Sequence, residues 1–87
     1  MLVPKDMTIY HAAELKPLVL GEVRDALEPA LDLSGVAELD SAGAQLLFLA
    51  QREAHALGRE LRITGCSPVV REILGLVGYA VPVEVSA

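Results

Sequence analysis

Apolar positions along this chain alternate between two spacings. Leu2-Val3 and Met7-Thr8-Ile9 predict a short first strand, and Pro4 between them, lacking an N–H to donate, restricts it to an edge. From residue 12 the spacing lengthens: Leu15, Val19 and Val23 fall at i, i+4 and i+8 with Leu18 beside them, as on one face of a helix. Glu14 stands three residues after His11, a capping-box spacing with His in place of the usual hydroxyl. Pro17 removes one backbone hydrogen bond and crowds the preceding turn, so this helix is expected to kink or to start late. Ala30-Leu31-Asp32-Leu33-Ser34, closed by Gly35, reads as a central strand. A helix from about 41 to 57 follows, with Leu46, Ala50, Ala54 and Leu57 on one stripe widened by Leu47 and Phe48, and Gly58 ends it. Glu60-Leu61-Arg62-Ile63-Thr64 alternates as a half-exposed strand does. Ser67-Pro68 opens a third helix, with Ser as cap and Pro in the first turn. Val70, Ile73, Leu74 and Val77 form its apolar face, and Gly78 stops it. Val81-Pro82-Val83-Glu84-Val85 predicts a last strand, at an edge because of Pro82.

The order is therefore β-α-β-α-β-α-β. Strands separated by helices pair in parallel through right-handed crossovers, which predicts a small single-domain α/β fold over residues 1–87, about four mostly parallel strands with three helices. In such folds the loops at the carboxyl ends of the strands carry function. The loop before the second helix, GVAELDSAG, is one of them.

Composition narrows the function. With 87 residues there is room for one modest core, and with one Phe, two Tyr and no Trp in a chain that is 53% hydrophobic, that core is aliphatic. So short an aliphatic chain is a candidate for burying further surface in a homodimer. The net charge of −5 and the scattering of the seven Lys and Arg speak against nucleic acid and against docking on an anionic membrane. No apolar run approaches the roughly 20 residues of a membrane span, and the start, MLVPKDMTIY, lacks the layout of a signal peptide. One cysteine, Cys66, forms no internal disulfide, so a cytoplasmic protein is expected. No metal-ligand spacing, phosphate loop or cofactor motif is present. Ser41 and His55 are fourteen residues apart on one helix, roughly 20 Å at 1.5 Å per residue, too far for a base to activate a nucleophile. No enzyme is expected.

Ser41 is the residue with chemistry to offer. On the plainest reading, Asp40 or Ser41 caps the helix by accepting a free backbone N–H. On the functional reading, a hydroxyl held on a rigid element faces solvent, with only Ala42 and Gly43 around it, so another protein can approach closely. A phosphate there would be tolerated at a helix N-terminus and would add nearly two negative charges beside Asp40. A partner fitted to the neutral hydroxyl would then be repelled.

LDLSGVAELDSAGAQLLFLAQREAHALGRELRITGCSPVVREILGLVGY resembles the STAS domain, the family of the bacterial anti-sigma factor antagonists. The resemblance rests on a strand ending L-D-L-S-G-V before an L-D-S-x-G turn, on the Gly-led strand GRELRIT, and on Ser-Pro opening a helix that ends at L-x-x-x-G. It covers roughly residues 30–79. It implies a β/α superhelix on a four-stranded sheet, and a non-enzymatic regulatory interaction module. It further implies that Ser41 is the phosphoacceptor of a serine kinase of the histidine-kinase-like ATPase fold. In this family that kinase is itself the anti-sigma factor, and phosphorylation dissociates the pair. Asp40 and Gly43 match the acid and the glycine of the family's turn, which often reads D-S-S-G and here carries Ala42. The expected partner surface comprises Val36, Glu38, Asp40, Ser41, Ala42, Gly43 and Gln45. Relative to the family the N-terminal strand region is short, and the last helix is expected to be absent after Ala87. Similar short STAS proteins imply two alternatives: a constitutive subunit on the ATPase of a lipid-transporting ABC complex, and an adaptor beside chemotaxis-type kinases. Among the remaining residues, His55 reads as an exposed helix residue, His11 as a helix-start residue, Cys66 as a partly buried small residue and Asp32 as hydrogen bonded near the turn. Arg52, Glu53, Arg59 and Glu60 read as a solvated face.

Overall fold

The computed structural model describes residues 1–79. It contains, in order, helix α1 (Ala12–Asp25), strand β1 (Ala30–Leu33), helix α2 (Ser41–Ala56), strand β2 (Arg62–Cys66) and helix α3 (Pro68–Leu76). The expected strand over 81–85 lies outside the described residues.

β1 is central, as its apolar run predicts. β2 pairs with it in parallel. On its other side the N-terminal segment runs parallel to it, Val3 N–H donating to Asp32 O at 3.0 Å and Asp32 N–H to Met1 O at 2.8 Å. That segment forms two single bridges, Leu2 to Asp32 and Met7 to Leu39, rather than a continuous strand. Pro4 stands between the two contacts, where a missing N–H costs no ladder bond.

β2 begins two residues later than its alternation predicts. Gly58 at φ +70° and the following Arg59 are taken up in closing α2, and the ladder starts with Arg62 N–H donating to Pro29 O at 3.0 Å. The register is irregular: Leu31 faces Ile63, but Asp32 faces Gly65 and Leu33 faces Cys66, leaving Thr64 as the extra residue. This bulge turns Cys66 inward beside Leu33. The cysteine is therefore fully buried rather than partly so, and burial pushes its thiol pKa up.

α1 runs unbroken from Ala12 through Pro17, so the expected late start does not occur. Its first amides find Thr8 O, which accepts from both His11 (3.0 Å) and Ala12 (2.9 Å). The His11 side chain caps no backbone group; its Nδ1 pairs with Glu14 Oε1 at 3.0 Å, and Lys5 Nζ reaches the same oxygen at 3.0 Å. Leu15, Val19 and Val23 are buried as expected, but Leu20 takes the flank expected of Leu18, which stays half exposed.

α2 and α3 end alike. Gly58 N–H donates to His55 O and Arg59 N–H to Ala54 O; Gly78 N–H donates to Gly75 O and Tyr79 N–H to Leu74 O. Each glycine adopts positive φ, +70° and +76°, the left-handed turn that folds the chain back onto the last carbonyls. α3 starts on Ser67, whose Oγ accepts from Val70 N–H at 3.2 Å, with Pro68 in the first turn.

The core is aliphatic: Leu31, Leu33, Leu61 and Ile63 from the strand regions, Leu15, Val19 and Val23 from α1, Leu47, Ala50 and Ala54 from α2, and Val70 and Leu74 from α3. α1 and α2 lie side by side and parallel. Their amino ends flank one open groove, with Ala12 on one wall and Ala42 on the other, and their carboxyl ends meet where Arg24 Nη2 pairs with Glu53 Oε1 at 3.0 Å. Arg59 Nη1 adds bonds to the Val23 and Arg24 carbonyls at the end of α1. Glu53 and Arg59 thus tie two helices together rather than forming a solvated face.

Tyr79 turns back from the end of α3 and meets Phe48 of α2 edge-on, with ring centroids 5.4 Å apart. Its hydroxyl is buried and has no hydrogen-bond partner among the described residues, and burial raises its pKa far above the ordinary phenol value. Removing an unpaired buried polar atom relieves its desolvation cost. Tyr79→Phe is expected to raise the unfolding free energy by about 1 kcal/mol in urea denaturation.

Candidate functional site

The site is built where three pieces of backbone meet: residues 6–9, the loop 34–40 and the first turn of α2. The loop leaves β1 through a turn closed by Val36 N–H to Leu33 O, 3.0 Å. Asp32 Oδ1 steadies that turn by accepting from Ser34 N–H at 2.8 Å, which lowers the Asp32 pKa. Asp6 reaches across from the N-terminal segment, its Oδ1 accepting from Ala37 N–H at 2.8 Å and Glu38 N–H at 3.2 Å. Met7 N–H donates to Glu38 O at 3.0 Å, and Asp40 N–H donates to Met7 O at 3.1 Å.

Asp40, not Ser41, is the cap. Its Oδ1 accepts from Ala42 N–H (2.9 Å) and Gly43 N–H (3.1 Å), while Oδ2 accepts from Ile9 N–H at 2.9 Å. These donors, Ile9 foremost and then Gly43 and Ala42, hold the carboxyl below the usual carboxylate range. Gly43 is required by packing. A Cβ there would run into the Met7 backbone, with Met7 C at 2.7 Å and Met7 Cβ at 2.8 Å as well as the Met7 carbonyl oxygen.

Of the residues expected to form a partner surface, the structure leaves some outside and draws others in. Val36 is 1% exposed and belongs to the core, so its side chain offers nothing to a partner. Gly43 is buried against Met7, and the carboxylate of half-buried Asp40 is engaged within the domain. Glu38, Ser41 and Gln45 are exposed, and Ala42 is half-buried at the rim of an open groove of about 290 Å3. Ala12, Ala13 and Lys16 of α1 form the other wall, with Leu46 and Leu49 deeper on α2.

Ser41 therefore occupies the first position of α2 with an exposed hydroxyl that neither caps the helix nor bonds to another described residue. An anion attached there would find the Ala42 and Gly43 amides already held by Asp40. It would meet a carboxylate in place of the open donors expected of a helix N-terminus. Sequence reasoning missed Asp6 and the Ile9 amide, because neither belongs to a local motif; an aspartate two residues after a proline near the chain start carries no signal of what lies 31 residues on. Among the described residues no cluster of His, Cys, Asp and Glu could hold a metal ion, and no helix is long and apolar enough to cross a membrane.

Two stability outcomes follow. Gly43→Ala is expected to cost about 3 kcal/mol, the upper range for overpacking, because the obstacle is backbone. Gly21→Ala, mid-α1 with nothing within 4 Å of the added methyl, is expected to stabilise by about 1 kcal/mol. Urea melts of both variants check the pair. Acid gives the third test. With its folded pKa below its unfolded value of about 3.9, Asp40 contributes stability that is complete above that value and lost as pH falls through the folded pKa. Asp40→Asn keeps a cap but no longer accepts from Ile9 with full charge. It should be less stable than the wild type at pH 7 and lose less stability between pH 5 and pH 2, by urea denaturation across that range.

A comparison with protein-family models matches residues 4–83 to the one described as Mlab, STAS domain. Comparison with the curated proteins gives no match.

Proposed function

The chain belongs to the STAS domain family, a family of regulatory protein-interaction modules, and we propose that it acts as a switchable module of the anti-sigma factor antagonist type. A partner docks on the amino end of α2, and phosphorylation of Ser41 releases it. The observation that carries this reading is Ser41 itself: an exposed, unbonded hydroxyl at the first position of a braced helix. Asp40 supports it further. Because its carboxylate holds the nearby amides, a phosphate on Ser41 would add charge without being absorbed into the fold. The fold would change little, and a partner seated against the hydroxyl would face two like-signed groups. The partner class is a serine kinase of the histidine-kinase-like ATPase fold, which doubles as the anti-sigma factor, in a cytoplasmic setting. Glu38, Ala42 and Gln45 border the contact, with no catalytic group, metal or cofactor of the module's own.

A second reading is a constitutive subunit on the ATPase of a lipid-transporting ABC complex. The open groove beside Ser41 favours it, since a mostly apolar trough suits a lasting interface.

The experiment is incubation with ATP and each such kinase encoded near the gene, followed by intact mass measurement. The switch predicts a gain of one phosphoryl group, abolished by Ser41→Ala, and binding weakened more than about tenfold by Ser41→Asp. A gain that survives Ser41→Ala, or none with any of these kinases, overturns it. Co-purification with an ABC ATPase that Ser41→Asp leaves unchanged supports the second reading instead.

A further inference from the structure

The groove between the amino ends of α1 and α2 continues along α2. A second furrow, lined by Gln45, Phe48, Leu49 and Arg52, shares Gln45 and Leu49 with the first. Together they form one strip from Ala42, next to Ser41, to Arg52, ten residues or roughly 15 Å of helix. Its floor is apolar and, among the described residues, its charges are of one sign. Lys16 stands on one wall and Arg52 at the far end, and no acid among the described residues lines either furrow, although the chain holds twelve acids against seven bases. Both cations are exposed and without an ion pair among the described residues. Others are engaged: Lys5 with Glu14, Arg24 with Glu53, and Arg59 with the last carbonyls of α1.

Resting on the reading of the chain as an interaction module, we propose that this strip receives an amphipathic helix of a partner protein, with apolar side chains toward the floor and carboxylates flanking them to meet Lys16 and Arg52. The strip's length is about three helical turns, the span over which a docked helix presents i, i+3/i+4 and i+7 side chains. The carboxylates supply the charge that the described residues leave unanswered here. An acidic partner is also the kind that a phosphate on Ser41, at the head of the strip, repels.

The test titrates isotope-labelled full-length protein with two synthetic helical peptides. They share one Leu and Ala stripe, flanked by Glu in the first and by Lys in the second. Amide resonances of Ala13, Ala42, Gln45 and Leu49 should move with the Glu peptide, which binds about fivefold tighter than the Lys peptide, a preference that fades with salt. Lys16→Glu with Arg52→Glu, both surface changes, should invert the preference. Equal affinity for the two peptides, or shifts confined to other surfaces, overturns the proposal. So do strip resonances that move on diluting the protein alone, which would assign the strip to a second copy. No kinase enters the titration. Lost peptide preference with Ser41 phosphorylation intact overturns the acidic partner alone, and the reverse result overturns the switch alone.

Discussion

The carboxylate of Asp40 is the junction on which the arrangement depends. One oxygen closes the first turn of α2 through the Ala42 and Gly43 amides; the other reaches out of the helix to the Ile9 amide. A cap normally serves only its own helix. Here it also fixes the N-terminal segment against α2, and that segment in turn supplies Thr8 O to the first amides of α1. The two helix starts are thus joined through two adjacent residues, 8 and 9. The close passage of Met7 over Gly43 follows from the same junction, since Met7 lies two residues from Ile9 and Gly43 three from Asp40.

This bracing explains why the serine is left available. A helix start without a good cap recruits whatever oxygen is near, and Ser41 would serve. With Asp40 in that role and Asp6 holding the Ala37 and Glu38 amides, the loop's needs are met by acids on either side of it. The hydroxyl is positioned by rigid neighbours yet bonded to none of the described residues. An exposed group on a fixed support can be matched by a partner without ordering a loop first, which lowers the entropic cost of association.

What was legible in the sequence was local. Asp40 through Gly43 marked a helix start, Gly58 and Gly78 the ends of two helices, and Ser67-Pro68 the start of a third, because each needs only neighbouring residues to act. Apolar periodicity placed the buried faces of α1 and α2 to within a residue or two. It exchanged Leu18 for Leu20 because the face is set by what α1 packs on, not by α1 alone. The misreadings share one cause. Val36 looked like loop and is core; Cys66 looked partly buried and is fully buried by an irregularity at Thr64; Arg59 looked solvated and closes α1 from 35 or more residues away. Each is decided by a partner remote in sequence. The exposure of Ser41 was legible, but the identity of the cap could not be chosen between Asp40 and its neighbour until the Ile9 amide was in place.

The pairing of α1 with α2 has a mechanical side. At their carboxyl ends the helices are pinned by Arg24, Glu53 and Arg59; at their amino ends small residues leave them apart. They form tongs, jointed at one end and open at the other. A body pressed between the open tips acts at the greatest lever arm from the joint, and the tips are where Thr8 and Ile9 join one helix to the other. A body in the gap would bear on the hydrogen bonds at residues 8, 9 and 40 and on Leu46, the core side chain that lines the groove.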